Sequence, residues 1–279
     1  YHCNSAFPHC RDTCFIHQEL TIMFRQLHTQ RTFYSMTIFV LSWELLVALA
    51  IWPAFVLPAP SHVVMRLWRE MHSLAIWRHL WATTSVALVG LAIAVCIGTV
   101  SAWLFVQQQR WYDLFNWLFT MSQSLPVVAI APLILLWIHS PFWARVTIAV
   151  VITMYPTFSA TYSALRLIPR ELREVAVLNG ATRWQMLRLV EVPLALPVVL
   201  TGVQTSVVLA MTGAVVGEYL GGRDGLGALI NIARSMFDAT LVFVALALLV
   251  IITLFIHAVF QHIHTQLTAD ADMHTESPL

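Results

Sequence analysis

The sequence predicts an all-α, polytopic membrane fold of about six transmembrane helices, and three observations carry that expectation. First, 59% of the 279 residues are hydrophobic and only 10% are charged, where a soluble domain carries about 25% charged residues. Second, the runs 80–106, 114–144, 146–165, 192–217 and 239–261 contain no Asp, Glu, Lys or Arg, and 32–65 is interrupted only by Glu44. A helix of about 20 residues crosses a hydrocarbon core of roughly 30 Å, and each run is long enough. Third, the runs are continuously apolar rather than alternating, which favours helices over a β-barrel.

Residues 1–31 are polar and mixed and read as a disordered or peripheral extension. They hold Cys3, Cys10 and Cys14 among His2, His9 and His17, but the spacing fits no zinc pattern, so no metal site is expected. The membrane body is expected over 32–264, with a short tail over 265–279. The first span is expected over about 33–57, ending at Pro53 and Pro58. Ser61 is a plausible N-cap of a short amphipathic helix that places Val64, Leu67, Trp68 and Met71 on one face. The second span is expected over 80–106, the third over 111–138 with Pro126 and Pro132 inside it, and the fourth over 142–164. The fifth follows over 194–216, then the glycine-rich "GEYLGGRDGLGALI", then the sixth span over 237–264. Cys96 lies mid-span and reads as a small packing residue.

Net charge is +1, so nothing favours a nucleic-acid partner. All fifteen basic residues are arginine. A Walker A loop needs its lysine on the β- and γ-phosphates, so this chain carries no such loop. Ion-driven carriers place ionisable groups at mid-membrane, where they cost several kcal/mol. Here only Glu44 and Glu218 approach a span, and both read as interfacial or packed. Active transport by this chain therefore requires energy from another polypeptide.

The charged residues concentrate instead in 165–193, the sequence "REVAVLNGATRWQMLRLVEVPLALP" and its approach. Pro169 suits the first turn of a helix, and Glu171 and Glu174 favour its positive end by about 0.3–1 kcal/mol each. Asn179-Gly180 is a stop signal. Thr182 caps a second short helix over 183–191, expected to stop before Pro193. Trp184, Leu187 and Val190 form its apolar side, while Arg183 and Arg188 point elsewhere. Placing this loop inside the cell puts nine arginines inside and six outside, a weak positive-inside bias.

The spacing Glu174-Val175-Ala176, three residues, Gly180, nine residues, Val190-Glu191-Val192-Pro193 resembles the "EAA" signature of permease subunits of bacterial ABC importers. Val175, Val190 and Val192 depart from it, each apolar for apolar. "WPAFVLPAPSHVV", "SQSLPVVAIAPLILLW" and "GEYLGGRDGLGALI" resemble the subgroup handling nitrate, sulfonate and taurine, whose relatives import thiamine precursors and riboflavin. The resemblance implies a type I importer permease of MetI-like fold in the bacterial inner membrane, with 32–264 as its permease domain. It implies a homodimer, two copies of a separate ATPase that hold the ATP and Mg, and an extracytoplasmic binding protein. Glu174, Ala176, Gly180, Arg173, Arg183 and Pro193 would then couple to the ATPase, with no catalytic residue and no cofactor on this chain. Ser122, Gln123, Ser124, Thr205, Ser206, Met211 and Thr212 are candidates for the translocation path; small and hydroxyl side chains equally serve helix packing. Gly221, Gly222, Gly225 and Gly227 would give a flexible outer loop. The rival classes are an integral membrane enzyme or metal-binding protein, and a stand-alone ion-coupled carrier.

Overall fold

A computed structural model describes residues 34–49, 56–106, 109–124 and 126–275. The Cys/His-rich segment and the extension reading of 1–31 lie outside the described residues. The described residues form helices and no strand. The chain divides into two compact units, 1–65 and 66–279.

In the first unit, α1 (Tyr34–Ala48) is apolar but shorter than the span expected there. Glu44, the one acid of that run, is packed: its two carboxylate oxygens accept the Ser61 N–H at 3.2 Å and the Ser61 hydroxyl at 2.7 Å. The next helix, α2 (Pro60–Met71), starts one residue earlier than expected. Pro60 takes the first helical position, where its missing N–H costs nothing. Ser61 is thereby inside the first turn, and Glu44 rather than Ser61 satisfies a free N–H there.

The second unit is built on three packed spans: α3 (Leu74–Val106), α6 (Pro141–Leu167) and α9 (Val192–Gly221). Val86, Leu91, Val146, Val207 and Met211 form the main core with Ile256 of α11 (Ala239–Thr275). In a bilayer the apolar effect gives helices no reason to associate, so close backbone approach must supply the contact. Ala149 of α6 shows it. A Cβ on Gly90 of α3 would lie 2.7 Å from the Ala149 Cβ, and one on Gly213 of α9 2.7 Å from the Ala149 Cα. Thr157 and Ser206 add a buried hydroxyl–hydroxyl bond of 3.0 Å between α6 and α9.

Among the described residues, four helices are long and apolar enough to cross a membrane: Leu74–Val106, Pro141–Leu167, Arg183–Gly221 and Ala239–Leu267. The expected third span is corrected. It is two helices, α4 (Gln109–Ser124) and α5 (Val127–Trp137), with Pro126 as the N-cap of the second. Pro126 itself is extended, at φ −64° and ψ 118°, and lacks an N–H, so no helix runs through it. α5 still packs, through Ala131 and Ile134 against Ile148 of α6.

Because the Ala149 contact is backbone against backbone, Gly213→Leu should cost about 1–3 kcal/mol of stability. Thermal unfolding in detergent should show a lowered midpoint, while Val250→Ala on an exposed position of α11 leaves the midpoint unchanged.

Candidate functional site

The elbow between α6 and α9 is built from α7 (Arg170–Leu178), α8 (Arg183–Met186) and a π-turn (Leu187–Glu191). α7 ends in a Schellman motif. The Gly180 N–H donates to the Val177 carbonyl at 2.9 Å and the Ala181 N–H to the Ala176 carbonyl at 3.0 Å. That closure needs a left-handed residue, and Gly180 sits at φ +75°. Space is not the constraint, since nothing lies within 4 Å of where a Cβ would stand. A side chain there is disfavoured by conformation alone, by about 1–2 kcal/mol. Thr182 then caps α8 in a complete capping box with Gln185. The Thr182 N–H donates to Gln185 Oε1 at 2.8 Å, and the Gln185 N–H to Thr182 Oγ1 at 3.3 Å.

The helix expected to stop before Pro193 does not stop. It passes through the π-turn into α9, with Pro193 as the second residue of α9. The Val192 N–H reaches five residues back to the Leu187 carbonyl. A proline ring normally clashes with the carbonyl four residues earlier; the wider π-turn gives that carbonyl room. Such turns recur at functional sites.

What fastens the elbow is Glu191, which in the sequence is only one place in a spacing. It is buried. One oxygen lies 3.4 Å from Arg173 Nε, an ion pair rather than an aligned hydrogen bond, and the other accepts from Trp103 Nε1 of α3 at 3.2 Å. Arg173 also donates through Nη2 to the Leu165 carbonyl of α6 at 2.7 Å. Arg173 is therefore engaged inside the chain through two of its guanidinium nitrogens. At the end of α6, Arg166 donates to the Tyr162 hydroxyl at 3.1 Å, and Tyr162 stacks on Tyr112 of α4 with ring centroids 3.7 Å apart. No charged pair in the described residues other than Arg173–Glu191 ties the elbow together.

The opposite side of the elbow faces outward. Glu174 and Arg183 are exposed and Ala176 is half-buried. Leu178 is 86% and Trp184 68% exposed. The surface is thus apolar at its crest and charged at its flanks.

The path candidates divide. Ser206 and Met211 are buried in the packing of α9, so they are corrected from path to core; Ser206 is held by Thr157 and by the Gly202 carbonyl. Thr205 and Thr212 lie seven residues apart on one exposed face of α9 and donate to their own helix, to the Thr201 and Val208 carbonyls. Beside Thr205 is an open groove of about 580 Å³, bounded by Ala160, Pro197, Thr201 and His264. Ser122, Gln123 and Ser124 end α4, and their side chains lie outside the described residues.

The glycine-rich loop at the far end of α9 is pinned, which corrects the expectation of flexibility. Gly221 ends α9, Gly222 caps it, and Gly225 and Gly227 are buried at the start of α10 (Leu226–Ser235). Gly225, at φ +116°, has no room for a Cβ because the Glu218 carboxyl fills that space. Glu218 is fully buried and accepts from the Thr83 hydroxyl at 2.8 Å and the Gly227 N–H at 3.1 Å. His79 takes the Gly225 N–H at 3.0 Å, and Arg145 donates to the Asp224 carbonyl at 2.9 Å. The glycines serve close approach of backbone to these side chains.

A bundle of apolar spans with an exposed helical elbow defines an integral-membrane protein, and comparison with known proteins gives its class. Residues 94–269 match the family described as binding-protein-dependent transport system inner membrane component. The chain belongs to that family: it is a multi-pass permease subunit. It is 47% identical over 212 residues to the riboflavin transport system permease protein RibX of Chloroflexus aurantiacus, covering 76% of this chain and 79% of that one. It is 34% identical to the formylaminopyrimidine transport permease protein ThiX of Halalkalibacterium halodurans, covering 74% and 82%. A putative aliphatic sulfonates transport permease protein, SsuC of Escherichia coli, is 28% identical over 74% and 78%. A solved structure of the MetNI methionine ABC transporter, inward facing, shares the fold with TM-score 0.58 at 21% identity, covering 69% of this chain and 94% of that chain. The rival classes, membrane enzyme or ion-coupled carrier, are not favoured by any of these.

Removing the fastening should loosen the elbow without unfolding the spans. Glu191→Ala leaves Arg173 and Trp103 without their acceptor, a loss of about 1–3 kcal/mol. Amide hydrogen exchange over 170–191 should accelerate in that variant and stay unchanged in Glu174→Ala, whose side chain is exposed.

Proposed function

We propose that this permease is the passive gate of an ATP-driven importer in the bacterial inner membrane, moved at its elbow by a separate ATPase. Two ATPase copies, holding ATP and Mg, would each seat one elbow; a second copy of the permease would complete the path; an extracytoplasmic binding protein would deliver the solute. The observation that carries this reading is the elbow itself: an outward apolar crest, Val175, Leu178 and Trp184, flanked by Glu174 and Arg183 and backed by a buried ion pair. A crest of that kind fits a groove on a partner, and the backing transmits a push to α6 and α9 rather than absorbing it. Ala176 lets the partner approach closely. Gly180 permits the reversal, and the π-turn lets the elbow run on through Pro193 into α9 without a break. Closure of the ATPases would carry the two elbows together and tilt the spans, alternating access.

For the solute, riboflavin or a heterocyclic vitamin precursor is proposed, because the relatives at 47% and 34% identity are permeases for riboflavin and formylaminopyrimidine. A sulfonate is the alternative supported by a relative, at 28% identity, and nitrate and taurine rest on the motif resemblance alone. The exposed threonines of α9, Thr205 and Thr212, suit a neutral or weakly polar solute, since their hydroxyl oxygens can still accept a hydrogen bond while no charged group lines that face.

Two measurements test these parts separately. In cells expressing the permease with its ATPase and binding protein, Gly180→Pro or Glu174→Arg should abolish uptake while the permease remains inserted and ATP hydrolysis no longer responds to the binding protein. Normal uptake in both variants would contradict the docking role. For the solute, the purified binding protein should quench flavin fluorescence on titration; no quenching, with uptake of another solute intact, rejects riboflavin and leaves the coupling reading standing.

A further inference from the structure

Where the elbow meets the spans, α3, α6, the π-turn and α9 surround a partly open cavity of about 290 Å³. Val100 and Trp103 form one wall, Leu165 another, and Leu187, Leu196 and Val199 the rest. Its few hydrogen-bond donors are spent. Thr99 donates to the Val95 carbonyl at 2.6 Å, Thr161 to the Thr157 carbonyl at 2.9 Å, and Trp103 Nε1 to Glu191. Water occupies a cavity only where it finds about two to four polar partners, and an apolar cavity of about 150 Å³ already takes up a benzene-sized guest. A polar solute would lose its hydration here and find no unspent donor in return. The occupant that fits is a long apolar one.

Position and charge narrow it. The walls lie inside three membrane-crossing helices. The rim joins the exposed apolar stripe Ile97, Val100 and Leu104 of α3, a face with the spacing of one side of a helix. The elbow next to the cavity, 165–193, carries five arginines against three glutamates, a net positive surface that attracts an anionic lipid phosphate. We propose that this cavity is a binding site for one acyl chain of an anionic phospholipid. Seated there, the chain bears on Leu187 and Val192, at the two ends of the π-turn, and shields the Trp103 side of the Arg173–Glu191 pair from water. It then packs behind the elbow, and the fastening is backed by lipid as well as protein. The inference rests on the membrane-spanning fold alone and stands whichever solute is carried.

The test uses the full chain reconstituted in phosphatidylethanolamine–phosphatidylglycerol vesicles. A trace of phosphatidylglycerol carries a diazirine midway along one acyl chain, and labelled sites are mapped after photolysis. Val100, Trp103, Leu196 and Val199 should be labelled several-fold more than Val250, Ile251 and Leu254, which are exposed on α11. Filling the cavity by Ala195→Phe, or by the milder Val199→Phe, should lower the wall labelling several-fold while α11 labelling persists, which also reports that the variant is inserted. Wall labelling no greater than that on α11 in the unaltered chain overturns the proposal, as happens if a second copy or another helix covers the opening. Wall labelling unchanged in both filled variants overturns it as well.

Discussion

The Arg173–Glu191 ion pair, with the Trp103 bond beside it, is the fastening on which the rest depends. A buried charge pair is costly to desolvate and contributes little net stability unless its remaining groups are satisfied. Here the Leu165 carbonyl accepts from Arg173 Nη2 and the Trp103 indole donates to Glu191, while Arg173 Nε has no aligned acceptor. The pair therefore serves position more than stability. It joins three things distant in sequence: the elbow helix α7, the π-turn that starts α9, and the end of α3. Removing Arg173 leaves the Glu191 carboxylate buried with only the Trp103 bond, so the geometry is enforced by the cost of leaving it.

That local rigidity matters because the spans beneath the elbow are themselves stiff. Ala149 of α6 is touched from both sides by glycines, Gly90 and Gly213, and packed interiors repack between discrete arrangements rather than deforming smoothly. At the far end of α9, Glu218, Thr83 and His79 tie the same helices to α10. α9 is thus anchored by polar contacts at both ends and packed through glycine between them. A displacement entering at the elbow has a continuous route along α9, and a second one through Arg166, Tyr162 and Tyr112 into α4, the first half of the broken helix.

Much of this is legible in the sequence, for one physical reason: hydrocarbon tolerates only self-satisfied helices, so charge-free length reads directly as span. The family spacing from Glu174 to Pro193 also survives three apolar exchanges. The rest is not legible because it depends on contacts far apart along the chain. Nothing near Glu191 points to Trp103, 88 residues away, or near Glu218 to Thr83, 135 residues away. Proline misleads in both directions. Pro126 breaks a run that hydropathy alone reads as continuous, and Pro193 breaks nothing, because a π-turn, which no residue pattern announces, makes room for it. Ser206 and Met211 are separated from Thr205 and Thr212 only by helix phase, which sequence fixes relative to neighbours but not relative to the core. The glycines after α9 signal freedom in the sequence, yet neighbouring atoms already occupy the space of their side chains: the Glu218 carboxyl at Gly225, and backbone at Gly222 and Gly227.

The central claim is that the elbow and its spans move as one body. The most direct measurement is a pair of spin-label distances in the assembled transporter, with and without ATP. One is between position 178 on the elbow and position 151 on α6 of the same chain; the other is between the two 178 positions of paired chains. The account predicts that the first distance is the same in both states while the second shortens with ATP. A change in the first that matches or exceeds the change in the second would contradict it, since the elbow would then be swinging free of the spans it is held to drive.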